Sequence, residues 1–74
     1  MANIKYEIIK NIKTLSETDK GYTKELNLVS WNDGNPKLDI RTWYSEYEKC
    51  GKGITLNEDE GKELMNALIE YYAE

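Results

Sequence analysis

Residues 37–44 read Lys37-Leu38-Asp39-Ile40-Arg41-Thr42-Trp43-Tyr44. Taken alternately, Leu38, Ile40, Thr42 and Tyr44 fall on one side, and Lys37, Asp39, Arg41 and Trp43 on the other. That is the pattern of a half-buried β-strand. The first side has the composition of a core. The second is charged yet carries a tryptophan, and its orientation decides what the chain can do. If Trp43 looks outward beside Arg41, the strand presents a cation next to a flat aromatic ring. If it looks inward, the lysines are ordinary solubilising charge. Alternation of Trp43 with Lys37 and Arg41, while Leu38 and Ile40 point away, favours exposure.

Upstream, Asn32-Asp33-Gly34-Asn35-Pro36 is the strongest turn signal in the chain. Asp-Gly supplies a residue free to take positive φ, and Asn-Pro favours turn geometry. Before it, Tyr22–Trp31 reads as a strand with Leu26 and Leu28 on one face and Asn27, Val29 and Trp31 on the other. Ser16–Gly21 is a polar hairpin loop. Tyr6–Leu15 mixes β-branched, aromatic and charged residues and reads as a first strand. Alternation there places Ile8, Lys10, Ile12 and Thr14 against Ile9, Asn11, Lys13 and Leu15.

Downstream, Ser45–Gly53 is a polar loop with room for a short fourth strand, and Ile54, Thr55 and Leu56 lead into a helix. Asn57 is an N-cap and Glu60, three residues on, completes a capping box. Glu58, Asp59 and Glu60 place negative charge at the positive end of the helix dipole. Leu64, Met65, Leu68, Ile69 and Tyr72 then form one stripe at helical spacing, to about Ala73. The stripe can cover the sheet within one subunit, meet a second subunit, or do both. The element order is β-β-β-β-α, or β-β-β-α without the fourth strand.

The whole chain has 74 residues, 39% of them hydrophobic and 11% aromatic, which allows one domain over residues 1–74. So small a chain buries only about 60% of its unfolded surface, which favours oligomerisation. No apolar run approaches a membrane span, and Met1–Lys13 lacks the apolar centre of a signal peptide. The cytoplasm is the default location. The net charge of −4 is unevenly placed: residues 57–74 hold one lysine against six acidic residues, so the rest of the chain is slightly basic. An anion-binding face outside the helix is therefore compatible with the overall acidity.

An enzyme reading finds no constellation to carry it. There are no histidines, which removes imidazole bases and His-containing metal sites. Asp39 sits two residues before Arg41 on the same strand side and is most simply its ion-pair partner. Cys50, between Lys49 and Gly51, has no His or Asn partner nearby in sequence. Cys50-Gly51-Lys52-Gly53 is only half a phosphate loop. No catalytic role, metal or cofactor is expected. Single-stranded nucleic acid fits better, because it is bound by cations along the backbone and by rings on which bases stack. Lys37, Arg41 and Trp43 offer that mix on one strand. Trp31 ends the strand before, and Lys49, Lys52 and Gly53 follow nearby. A protein-interaction module using the acidic helix and exposed aromatics is the alternative.

The order of these pieces resembles the C-terminal domain of the transcriptional coactivator called positive cofactor four, and its small bacterial members in particular. Asp39-Ile40-Arg41 and Gly51-Lys52-Gly53-Ile54-Thr55-Leu56, at this spacing before a C-terminal helix, carry the resemblance over roughly residues 20–70. It implies a homodimer of strongly curved four-stranded antiparallel sheets, each followed by one helix. The helices, through Leu64, Met65, Leu68, Ile69 and Tyr72, would pair at the dimer interface. Single-stranded DNA would lie over the concave surfaces with little sequence preference, in support of transcription, repair or replication; RNA is left open. By position, Trp31 or Asn32 matches a base-stacking aromatic, Arg41 a phosphate- and base-contacting arginine, and Lys52 with Gly53 the basic loop. Lys24 matches a basic position on the second strand. The family motif places the second stacking ring at Tyr44, whereas alternation favours Trp43, and a β-bulge would reconcile the two. Asp33 stands in the turn where the family often has a basic residue.

Overall fold

The computed structural model describes residues 5–44, 47 and 49–73. The elements are β1 (Tyr6–Glu17), β2 (Thr23–Trp31), β3 (Lys37–Tyr44), β4 (Lys49–Leu56) and α1 (Glu58–Tyr72). The strands make one antiparallel sheet in the order β1-β2-β3-β4. This is the four-strand form of the α+β arrangement. The fourth strand is a full eight-residue element reaching back to Lys49, into the stretch read as a loop. Two glycines and two lysines hide it, since they give neither alternation nor β-branched content. Residues 45, 46 and 48 of that loop, and residues 1–4, lie outside the described residues.

The β2–β3 turn forms where the sequence places it, with its conformational burden carried by the two residues before Gly34. Asn32 (φ 50°) and Asp33 (φ 61°) occupy the left-handed region, and Gly34 N–H donates to the Trp31 carbonyl at 2.8 Å. Asn and Asp tolerate that region, and two such residues in succession match the right-handed twist of a hairpin. Gly34 closes the turn instead of supplying its positive φ.

β1 departs most from simple alternation. Its pairing with β2 shifts register three times, and Ile9, Ile12 and Leu15 are the residues left without a partner opposite. Each is an inserted residue that bends the strand and increases its twist. The apolar residues of β1 therefore recur every third position, and the two faces expected from alternation do not hold. The residues opposite Trp31, Val29, Asn27, Glu25 and Thr23 are Tyr6, Ile8, Asn11, Thr14 and Glu17.

Three inserted residues bend and twist β1, and burial across the sheet is one-sided, the odd-numbered side of β2 and β3 being the inner one. Glu25, Asn27, Val29, Asp39 and Trp43 are each at most 1% exposed, and all lie on the odd-numbered side of β2 and β3. The other side, Leu26, Leu28, Leu38, Ile40 and Tyr44, is only half-buried. This reverses the expectation that the Leu38–Ile40 side is the core. An inner curved surface covers itself, while an outer one needs another layer. The helix supplies little of that layer. It meets the sheet at Gly61, where a Cβ would overlap Leu38 Cδ1. No residue of α1 is buried. The radius of gyration is 13.5 Å, against about 11 Å for a compact chain of this length.

The start of α1 follows the sequence closely. Asn57 Oδ1 accepts the Glu60 N–H at 2.7 Å, and Glu60 Oε1 accepts the Asn57 N–H at 2.9 Å, the reciprocal pair of a capping box. Among the described residues no helix is long and apolar enough to cross a membrane.

Candidate nucleic-acid interface

The inner side of the sheet holds two polar clusters and an aromatic one. At its centre Glu25 is buried and fully bonded. Its Oε1 accepts from Asn11 Nδ2 (3.1 Å) and Asn27 Nδ2 (3.0 Å), and its Oε2 accepts from the hydroxyls of Thr23 (2.6 Å) and Tyr47 (2.8 Å). Burial pushes the Glu25 carboxyl up, but the hydrogen bonds from Thr23, Asn27 and Tyr47 together outweigh it and hold the group below its ordinary value. The same bond, with burial and the Glu25 charge, pushes the Tyr47 hydroxyl up.

Beside it, Asp39 faces Arg41. Asp39 Oδ1 accepts Arg41 Nε–H at 2.7 Å, and Oδ2 accepts from Arg41 Nη2 at 2.8 Å and from the Thr55 hydroxyl at 3.0 Å. Arg41 Nη1 donates to the Gly51 carbonyl at 3.2 Å. The Asp39 bond raises the Arg41 pKa against the opposing effect of burial, with further support from the Asp39 charge and from Cys50. The ion pair read from the spacing is present. Gly53 lies opposite Arg41 in the ladder, and a Cβ there would overlap Arg41 Cβ and the Ile40 carbonyl oxygen. Its missing side chain lets β4 approach β3 this closely at Arg41.

The aromatic cluster runs from the mouth inward. Tyr6 lies between the two indoles, with ring centroids 5.7 Å from Trp31 and 5.2 Å from Trp43, and Tyr47 covers Trp43 at 5.6 Å. The Tyr6 hydroxyl donates to the Tyr47 carbonyl, tying the β3–β4 connection to β1. Trp31 is half-buried, and the Arg41 guanidinium carbon lies 4.7 Å from its ring centroid, a cation–π contact. The indole N–H groups of Trp31 and Trp43 are both buried without an acceptor among the described residues.

The structure therefore brings some of the expected residues together and separates others. Trp31, Lys37 and Arg41 share the inner side, with Lys37 exposed at its edge. Trp43 is also on that side, as alternation requires, but it is 1% exposed. The expectation of an outward-looking Trp43 is overturned: Tyr6 and Tyr47 roof the ring once the sheet curls. A bulge does occur where one was invoked, but it lies in β4, between the pairs Arg41–Gly53 and Trp43–Cys50. Alternation in β3 is unbroken, so Tyr44 stays on the outer side, edge-on to Tyr22 at 4.6 Å. Lys24, opposite Thr42, and Lys49, opposite Tyr44, lie on that outer side as well, and Lys52 is exposed in the β4 bulge. Asn32 is occupied by the turn, its Oδ1 accepting the Lys5 N–H at 3.1 Å.

The sequence reading missed Glu25, Asn27, Asn11, Tyr6 and Tyr47. The parity of Asn27 with Val29 and Trp31 was the available signal for one of them. A glutamate at the centre of a sheet carries no such signal, because charge normally marks the solvent side.

Fold and site together define a class: a small α+β protein with one curled antiparallel sheet, a terminal helix, and an arginine laid on a tryptophan at the inner mouth. The family described as Transcriptional Coactivator p15 (PC4) matches residues 18–67, and the chain belongs to it. The match begins in the β1–β2 loop and ends within α1, so β1 with its three bulges lies outside it. The chain is also similar to a protein of Treponema pallidum (strain Nichols) described only as an uncharacterized protein. The two are 39% identical over 66 residues, covering 85% of this chain and 78% of the other.

Proposed function

We propose that residues 1–74 form one domain that binds single-stranded DNA with little sequence preference, as a homodimer, in a binding rather than a catalytic role. The observation that carries this reading is the Arg41 guanidinium held over the half-exposed Trp31 ring at 4.7 Å. A base stacks on Trp31, and phosphates meet Lys37 and the free N–H groups of Arg41. Buried Glu25 and Asp39 make the floor of the inner surface unfavourable for phosphate, so the backbone follows the rim. Lys49 and Lys52 reach only a strand that turns over the β4 edge, and Lys24, on the outer side of β2, lies off that path. Family membership supports the ligand class and a role in transcription regulation.

The homodimer is supported by the uncovered stripe of α1. Leu64, Met65, Leu68, Ile69 and Tyr72 are 37–75% exposed, on a helix whose own sheet leaves every one of its residues unburied. A second subunit meeting this stripe and the half-buried Leu26–Ile40 side supplies the missing layer.

Titration of tryptophan fluorescence with a thymine oligomer at two salt concentrations tests the proposal. Binding that quenches emission and weakens with salt, by about 0.7 in log K per log salt for each phosphate met, supports it. An unresponsive protein refutes it and leaves the protein-interaction reading. A parallel titration with a uridine oligomer reports on RNA.

A further inference from the structure

Arg41 is more constrained than a ligand-binding arginine needs to be. A guanidinium carries five N–H donors. Here Asp39 takes one from Nε and one from Nη2, and the Gly51 carbonyl takes one from Nη1. Among the described residues, nothing takes the other donor on Nη1 or the other on Nη2. Asp39 is itself fixed: it is 0% exposed, and the Thr55 hydroxyl holds its Oδ2. The side chain of Arg41 is 15% exposed, with its guanidinium carbon over the indole of Trp31.

We propose that Asp39 is a positioning residue for nucleic-acid binding. It touches no ligand. It locks the Arg41 guanidinium onto the Trp31 ring, so that the two remaining N–H groups and the open indole surface meet a nucleotide as one preformed unit. The proposal rests on the reading that Trp31 and Arg41 receive the strand. Its physical basis is that an arginine ordered before binding loses little freedom on binding.

The proposal has a sign opposite to simple electrostatics. Removing a carboxylate from a DNA-binding surface strengthens binding if only net charge counts. Positioning requires the reverse, because an asparagine cannot accept both Arg41 donors and turns its amide N–H groups toward one of them.

The test is binding of a labelled thymine oligomer to the full chain. Asp39→Asn is compared with wild type, with Arg41→Lys and with the double variant. The expected result is weakening by roughly five- to tenfold on Asp39→Asn, shrinking to less than about twofold in the Arg41→Lys background, where no fork remains to be positioned. Equal or tighter binding by Asp39→Asn overturns the proposal, as does an undiminished loss in the double variant. If Asp39→Asn does not fold, Thr55→Val decides. It removes only the hydroxyl behind Oδ2, and unchanged affinity there is fatal.

A ligand-free readout separates positioning from general loosening. In a Trp43→Phe background Trp31 is the sole tryptophan of the chain. Asp39→Asn there must shift Trp31 emission and raise its quenching by iodide while the melting of the sheet stays cooperative. Unaltered emission overturns the proposal. A wild-type chain that binds no oligomer overturns both this inference and the reading beneath it. Binding that Arg41→Ala weakens and Asp39→Asn spares overturns this inference alone.

Discussion

The Tyr47 hydroxyl donates to the Glu25 carboxylate across 2.8 Å, linking the β3–β4 connection to β2, 22 residues away in sequence. Tyr47 holds a positive φ of 66° in doing so, and its ring closes over Trp43. A side chain placed on a loop therefore completes the burial of a core ring and supplies the fourth donor to a buried charge.

Burial of Glu25, outweighed by its hydrogen bonds from Thr23, Asn27 and Tyr47 together, makes stability depend on acid. Glu25 has a folded pKa below its unfolded one. Its contribution is fully present above the unfolded carboxylate value, about 4.3, and is lost as pH falls through the folded value. The thermal midpoint should fall on acidification, and Glu25→Gln should flatten that dependence while lowering the midpoint at neutral pH. Tyr47→Phe should cost about 1–2 kcal/mol by urea denaturation. A Glu25→Gln protein with the wild-type acid profile would show that other carboxylates govern it.

Trp43 should behave as core and not as a stacking ring. Trp43→Ala should destabilise by about 3–5 kcal/mol. Trp43→Phe should cost less, since it keeps a ring beneath Tyr6 and Tyr47 and removes a buried N–H with no acceptor among the described residues. The Phe variant should bind a thymine oligomer as wild type does, measured by fluorescence anisotropy.

Gly53 and Gly51 should differ. Gly53→Ala drives a methyl into Arg41 Cβ and the Ile40 carbonyl, which cannot yield without opening the ladder, and should cost about 1–3 kcal/mol. Gly51→Ala meets the far end of the Tyr44 ring, which can swing aside. Urea midpoints of the pair check this.

Solution mass should correspond to two chains. Leu68→Glu, on the uncovered stripe of α1, should yield a single-chain mass with a lower melting point, because burial of a charge there opposes pairing. A variant that stays dimeric places the interface elsewhere.

The sequence disclosed β2, β3, the capping box and the Asp39–Arg41 pair, because each depends on neighbours within a few residues. It hid β4, whose Lys49, Gly51, Lys52 and Gly53 look like a loop until β3 is beside them. It also inverted the inside of the sheet. Alternation assigns Trp43 and Arg41 to one side correctly, but says nothing about which side curls inward. The bends come from Ile9, Ile12 and Leu15, three residues inserted in β1 against its hairpin partner β2, and strict alternation carries no sign of an inserted residue. Apolar composition pointed to the Leu38–Ile40 side, and that side keeps its apolar character for want of a layer within this chain.

The claim on which most else depends is that a base sits on Trp31 at the Arg41 rim, above a buried Trp43. Photo-crosslinking of the full chain to a thymine oligomer carrying iododeoxyuridine, followed by peptide mass mapping, tests it directly. The adduct should fall on Trp31 and disappear with Trp31→Leu. An adduct on Trp43, or one confined to Tyr22 and Tyr44 on the outer side, would contradict it.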